Sequence, residues 1–177
     1  DGFHVEFTSA LDAVRCAMNV PMQDHRAPDF PELTLPLFAD LKTVFANETG
    51  RVIMYPSSGT GAWEAAITNT LNRGDRVLMS SFGQFSYLWA TMARRLGLDV
   101  VCVEREWGEG VPLEDYARHL GEDKSIKGVF ACHNETATGV TSDIAGVRAV
   151  MAAASSAALL YIAAVSSLAS IPFEQAA

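Results

Sequence analysis

Val52-Ile53-Met54-Tyr55-Pro56-Ser57-Ser58-Gly59-Thr60-Gly61-Ala62-Trp63-Glu64-Ala65-Ala66 changes character twice. The apolar run reads as a buried strand, the Ser/Gly stretch as a tight turn, and the residues from about Thr60 as a helix. That order brings free backbone N–H groups, hydroxyls and the positive end of a helix to one point, a ready anion site. On residues alone Ser58-Gly59-Thr60 is open to two readings: a phosphate cradle, or a plain turn with Thr60 near the helix start. Gly59 to Glu64 reads G-x-G-x-x-E, which lacks the third glycine of the dinucleotide fingerprint, and no G-K-[ST] follows, so nucleotide binding is disfavoured.

Working outward, the alternation continues. Helix Thr60–Asn72 leads through Asn72-Arg73-Gly74-Asp75 to strand Arg76–Met79. Helix Gly83–Leu96 follows, with Gly97 as its C-terminal stop. Strand Asp99–Val103 precedes a helix from Pro112 to about Leu120, with Glu114 and Asp115 in its first turn. Strand Lys127–His133 ends in the polar loop Asn134–Gly139. Ser142 is expected to cap a helix to about Ala154, and Leu159–Ala163 is a further strand. Upstream, Leu11, Val14, Arg15 and Met18 suggest a short helix, and Leu33, Leu37, Phe38, Leu41, Val44 and Phe45 recur at helical spacing from Pro31 to Ala46. The pattern is an α/β domain on a mostly parallel sheet. Residues 1–46 read as an N-terminal segment and helix, and 47–177 as the sheet domain.

At 177 residues, 49% hydrophobic and 19% charged, the chain is long enough for one domain with a sizeable core. A net charge of −8 without a basic run argues against a nucleic-acid partner. No stretch approaches the length of a membrane span. Cys16, Cys102 and Cys132 fit no metal pattern and read as reduced thiols of a cytoplasmic protein.

In open parallel sheets, ligands bind beyond the C-terminal strand ends. Those ends carry Ser57–Thr60, Ser80–Phe85, His133–Gly139 and Ala163–Ser167. Phe85 is open to a stacking role or to a place in the core. His133 is open to acid–base work or a structural hydrogen bond, and Glu135 to a general-base role or simple solvation. Asp24-His25-Arg26 offers a carboxylate-binding arginine or a pinned loop. A hydrolase with Ser57 or Ser58 as nucleophile requires a G-x-S-x-G elbow, which is absent.

Taken together, Asp24-His25-Arg26, Ser57 to Ala66, Asn69-Thr70-Leu71, Gly74 to Leu78, Arg95-Leu96-Gly97, His133-Asn134-Glu135-Thr136 with Thr138-Gly139-Val140, and Ser166-Ser167-Leu168 resemble the class V aminotransferases. Within that family the chain is similar to the serine–glyoxylate and alanine–glyoxylate enzymes. The resemblance spans roughly Gln23 to Ser170. It implies a fold-type I large domain, pyridoxal 5′-phosphate as cofactor, an amino acid and a 2-oxo acid as substrates, and a homodimer. It assigns Ser58, Gly59 and Thr60 to the cofactor phosphate and Phe85 to one face of its ring. It assigns Val165 to the other face and Thr136 to the ring-oxygen edge.

The sequence also departs from the family. Ala163 stands where the resemblance places an aspartate that pairs with the protonated ring nitrogen, a loss of about 3 kcal/mol or more by analogy with other electrostatic groups. The lysines are Lys42, Lys124 and Lys127, and none stands in the Schiff-base motif expected beyond Ala163. Phe7-Thr8-Ser9-Ala10-Leu11 lacks the family's Gly-Pro pair. The expectation is therefore a partial large domain, lacking the last strands and the C-terminal domain, without covalent cofactor attachment and inactive by itself. The alternative is a non-catalytic binding module that keeps a weak phosphate site. The family's further strands would lie between Arg51–Tyr55 and Leu159–Ile162. Arg51–Tyr55 is thus expected either to pair directly with Leu159–Ile162 or to leave an exposed gap.

Overall fold

In a computed structural model, which describes residues 24–47 and 49–171, the elements follow in order. They are α1 (Phe30–Val44), α2 (Gly59–Thr70), β1 (Arg76–Ser81), α3 (Gln84–Arg95), β2 (Asp99–Glu104), α4 (Leu113–Glu122), β3 (Ile126–Cys132), β4 (Asn134–Glu135), β5 (Val140–Thr141), α5 (Ile144–Ala153) and β6 (Leu159–Ala163). The chain divides into two compact units between Leu41 and Lys42. In the first unit, Asp24 folds an exposed turn by accepting from the Arg26 backbone N–H at 3.0 Å. The helix expected around Leu11–Met18, the Phe7–Leu11 segment and Cys16 lie outside the described residues.

The second unit holds a parallel sheet in the order β2-β1-β3-β6. Side chains alternate between its faces, and each face has its own helices. Val77, Met79, Phe130 and Ala163 pack with Trp63 and Ile67 of α2 and with Trp89, Ala90 and Ala93 of α3. Leu78, Val129 and Ala131 pack with Tyr116 and Leu120 of α4 and with Val147 and Met151 of α5. Being covered twice explains why β1 and β3 are near-continuous apolar runs.

Aromatic rings cross the first face in a chain. Trp63 stacks on Trp89 at 5.3 Å, Trp89 meets Phe130 edge-on at 4.9 Å, and Phe130 stacks on Tyr161 at 4.3 Å. Such pairs contribute about 0.5–1.5 kcal/mol each beyond area burial. On the second face the fully buried Tyr116 lies 2.8 Å from the Phe130 carbonyl, which accepts its proton, and 3.1 Å from Ser80 Oγ. Burial pushes its phenol pKa up. The expected stop of α3 is present: Gly97 adopts φ +90° and its N–H bonds the Arg94 carbonyl at 3.0 Å, as left-handed helix ends require.

Several expectations are corrected. Arg51–Tyr55 forms no strand, and Ile53, Met54 and Tyr55 are 73%, 48% and 51% exposed. An apolar run becomes a strand only with a ladder partner, and among the described residues β6 bonds β3 alone. Of the two outcomes expected for this segment, the exposed gap is the one seen. A cavity of about 530 Å³ lies between this segment and α2, lined among others by Val52, Ile53, Tyr55, Ala62 and Ala66. The loop after β3 forms the hairpin β4–β5, which sequence reasoning did not foresee. The cap of α5 is Asp143, which accepts from the Gly146 N–H at 2.8 Å. Ser142 is buried and its hydroxyl accepts from the Val111 N–H at 3.2 Å.

Tyr116→Phe removes the donor to a buried carbonyl. It is expected to cost about 1–2 kcal/mol in urea denaturation, with the slope of the transition unchanged.

Candidate functional site

The C-terminal ends of β1, β3 and β6 meet the start of α2 at one side of the sheet. Gly59 is where they close up: a Cβ there would lie 2.9 Å from Val165 Cγ2. Gly61 is required for a similar reason, since a Cβ would run into Ser57 Oγ. Ser58 is the N-cap residue of α2, but its side chain caps nothing. The N–H groups of Gly59 and Thr60 have no protein acceptor among the described residues. Unused donors beside the exposed hydroxyls of Ser58 and Thr60 are groups of the kind that can bind an anion.

The loop after β6 carries this point to the hairpin. Thr136 Oγ1 donates to Ser166 Oγ at 2.9 Å, and Ser166 Oγ donates to Asn134 Oδ1 at 2.8 Å. Asn134 Nδ2 donates across the hairpin to Thr141 Oγ1 at 3.0 Å. One residue further, Glu135 is fully buried. Its carboxylate accepts from the N–H groups of Phe85 at 3.1 Å, Ser86 at 2.8 Å and Ala137 at 3.3 Å. Glu135 is thus neither the solvated carboxylate nor the general base considered from the sequence; it caps α3 from fifty residues away. The N-cap residue of α3, Gly83, has no side chain to do this, and a Cβ on it would collide with Glu135 Cγ.

The six residues singled out from the sequence therefore surround one end of the sheet. Gly59, between Ser58 and Thr60, meets Val165, Thr136 bonds Ser166 beside Val165, and the N–H of Phe85 bonds Glu135, the residue before Thr136. Val165 is 72% exposed and Phe85 39%, so both leave a face available. Sequence reasoning missed Glu135, Asn134 and Ser166 as organisers of this end. One signal was present: Gly83-Gln84-Phe85-Ser86 starts a helix without a capping side chain, which demands a partner from elsewhere.

Other polar groups have structural surroundings. His133 is buried, its Nδ1 lies 2.8 Å from Ser167 Oγ, and its N–H bonds the Ala163 carbonyl at 2.9 Å. Desolvation lowers its pKa from the usual 6.5. Burial, with the Glu135 charge adding to it, pushes the Cys132 thiol up to about 12. Cys132 and Cys102 are free thiols. Lys127 pairs with Asp75 at 2.6 Å, and Lys124 bonds the carbonyls of Leu120 and Ala154. Both sit at the N-terminal side of the strands, away from this end. Among the described residues no His/Cys/Asp/Glu group suits a metal ion, and no helix is long and apolar enough to cross a membrane.

Comparison with known proteins matches residues 39–177 to the family model "Aminotransferase class-V". The chain belongs to the class-V aminotransferase family. It is 59% identical over 166 residues to a serine–glyoxylate aminotransferase of Hyphomicrobium methylovorum, covering 93% of this chain and 41% of that protein. It is 46% identical to an L-aspartate–glyoxylate aminotransferase of Paracoccus denitrificans, covering 94% and 42%. The solved alanine–glyoxylate aminotransferase of Nostoc sp. superposes with a TM-score of 0.81 at 31% identity, covering 92% of this chain and 42% of that one. The chain thus spans about two-fifths of the length of these relatives. The parallel sheet flanked by helices is accordingly a partial fold-type I domain.

Because folding holds His133 preferentially neutral, the unfolded chain binds more protons between the lowered folded pKa and 6.5. Stability is therefore expected to fall as the pH drops from about 7.5 to about 5.5. Urea titrations of the wild-type chain and of H133N check this; the variant should lose part of the slope.

Proposed function

We propose that residues 47–177 are the cofactor-holding part of a pyridoxal-phosphate-dependent aminotransferase, with residues 1–46 preceding it. The amino group would pass from serine or alanine to glyoxylate or a similar 2-oxo acid. The observation that carries this reading is the convergence of the α2 anion site, Val165, Thr136 and Phe85 at one end of the sheet, in a chain of this family. The donor set fits the cofactor at that end. Unused N–H groups and hydroxyls at Ser58, Gly59 and Thr60 suit a phosphate, two accessible apolar side chains suit the faces of a flat ring, and the Thr136 hydroxyl suits its oxygen edge. When bound, pyridoxal phosphate supplies the electron sink that amino-group transfer needs. The residues here contribute binding, orientation and exclusion of water from one ring face.

The fit stops at the ring nitrogen. Ala163 is 6% exposed and ends in a methyl group, which neither accepts a proton nor orients a ring. The buried carboxylate at this end, Glu135, already serves three backbone donors. Lys124 and Lys127 are engaged at the other side of the sheet, and Lys42 belongs to α1. These 177 residues therefore hold the cofactor without covalent attachment and without turnover. Ala163 favours the related reading of a binding module built on an inherited phosphate site. The free thiols of Cys102 and Cys132 support a reducing, cytoplasmic setting.

Calorimetric titration tests the proposal. Pyridoxamine 5′-phosphate is expected to bind at least about tenfold more tightly than pyridoxamine, and Thr60→Ala to remove about threefold to tenfold of that affinity. Ala163→Asp is expected to tighten binding about tenfold by pairing the ring nitrogen. Equal affinity for pyridoxamine with and without its phosphate would refute the site. With pyridoxal 5′-phosphate as the probe, an adduct fixed on one lysine by borohydride reduction, or serine–glyoxylate turnover, would refute the non-covalent, inactive reading.

A further inference from the structure

We propose that Glu135 is a positioning residue for the cofactor's aromatic wall: its buried carboxylate sets where Phe85 stands. This rests on the reading of Phe85 as a ring-stacking residue given above.

Glu135 is 0% exposed and its carboxylate bonds two N–H groups of the first turn of α3, those of Phe85 and Ser86. Phe85 lies in the first turn of α3, where helices fray unless capped. Locally, the Ser86 hydroxyl donates to the Gly83 carbonyl at 3.1 Å and accepts from the Phe82 N–H at 3.1 Å, and the Tyr87 N–H bonds the Gly83 carbonyl at 3.1 Å; none of these engages the Phe85 N–H. The Phe85 side chain is 39% exposed, so packing alone does not hold it. What fixes the backbone beneath it is the carboxylate, reaching across from β4. Gly83 shows how closely the two parts are fitted, because a Cβ there would fall 2.5 Å from Glu135 Cδ. The same carboxylate accepts from the Ala137 N–H, just past Thr136. A negative charge at a helix N-terminus is favoured by the helix dipole as well as by the hydrogen bonds. Glutamine is isosteric but places an NH₂ group against one backbone N–H. The first turn of α3 then loses one of its two ties, while Ser58-Gly59-Thr60 keeps all of its contacts.

A double-mutant cycle tests this. The probe is pyridoxamine 5′-phosphate, which has no aldehyde and cannot condense with lysine, with inorganic phosphate as the second ligand. Affinities are measured by calorimetry for the wild-type chain, Glu135→Gln, Phe85→Ala and the double variant. Glu135→Gln is expected to weaken the pyridoxamine probe about tenfold, the scale of one lost stacking contact, and to leave inorganic phosphate within about twofold. In the Phe85→Ala background, adding Glu135→Gln is expected to change affinity by less than about twofold. A merely structural glutamate would weaken both ligands, and by the same factor in both backgrounds; that outcome, or no effect of Glu135→Gln, overturns the proposal. If far-UV circular dichroism shows Glu135→Gln unfolded, Gly83→Ala displaces the carboxylate from the opposite side and carries the same expectation. A wild-type chain that takes up no pyridoxamine 5′-phosphate overturns this proposal and the cofactor reading together, whereas uptake with additive effects overturns only the role of Glu135.

Discussion

A carboxylate taken out of water costs several kcal/mol unless its oxygens are satisfied. Glu135 is fully buried, and that constraint organises the end of this protein where β3 gives way to the hairpin. Its oxygens meet three backbone donors, two of which are the orphan N–H groups that a helix start leaves. Each side solves the other's problem. The helix gains a cap that Gly83 cannot provide, and the carboxylate gains partners that solvent can no longer supply. Gly83 must be glycine because the glutamate occupies the space of its side chain.

Successive residues of one short segment divide the work. His133 turns to Ser167, Asn134 to Ser166, Glu135 to α3, and Thr136 back to Ser166. The period of two in extended backbone makes this possible. A segment that continued straight as β3 would present one face to the core and could not tie two loops and a helix together. The small antiparallel hairpin is therefore how the end of β3 becomes a junction.

Anchoring a cofactor and activating it are physically separate tasks, and on the proposed reading this chain would separate them. A phosphate needs N–H groups and hydroxyls at a helix start, and α2 has both. Keeping a proton on a ring nitrogen needs a buried anion, and Ala163 is not one. Affinity can survive such a change because phosphate contacts and ring faces do not depend on it. On the proposed reading, the electronic activation of the ring would have no substitute among the described residues of this end.

Much of the architecture was legible in the residues. The strands read at Arg76–Met79 and Lys127–His133, a helix with a stop at Gly97, and the Ser58-Gly59-Thr60 turn are local patterns, set by steric and hydrogen-bonding rules that act within a few residues. What failed required knowing the neighbours. Arg51–Tyr55 has the apolar composition of a strand but no ladder to join, and hydrogen-bond pairing is not written in composition. Ser142 and Asp143 are both plausible caps, and only the nearby Val111 N–H decides that Ser142 bonds elsewhere. Glu135 is the clearest case: as a loop residue it predicts solvation, yet fifty residues of intervening chain fold back to lay the start of α3 over it. Sequence determined the helices, the strands of the parallel sheet and the helix start at Ser58-Gly59-Thr60, because those follow from local backbone chemistry. Tertiary structure decided which polar groups are buried together, because burial depends on what the rest of the chain covers.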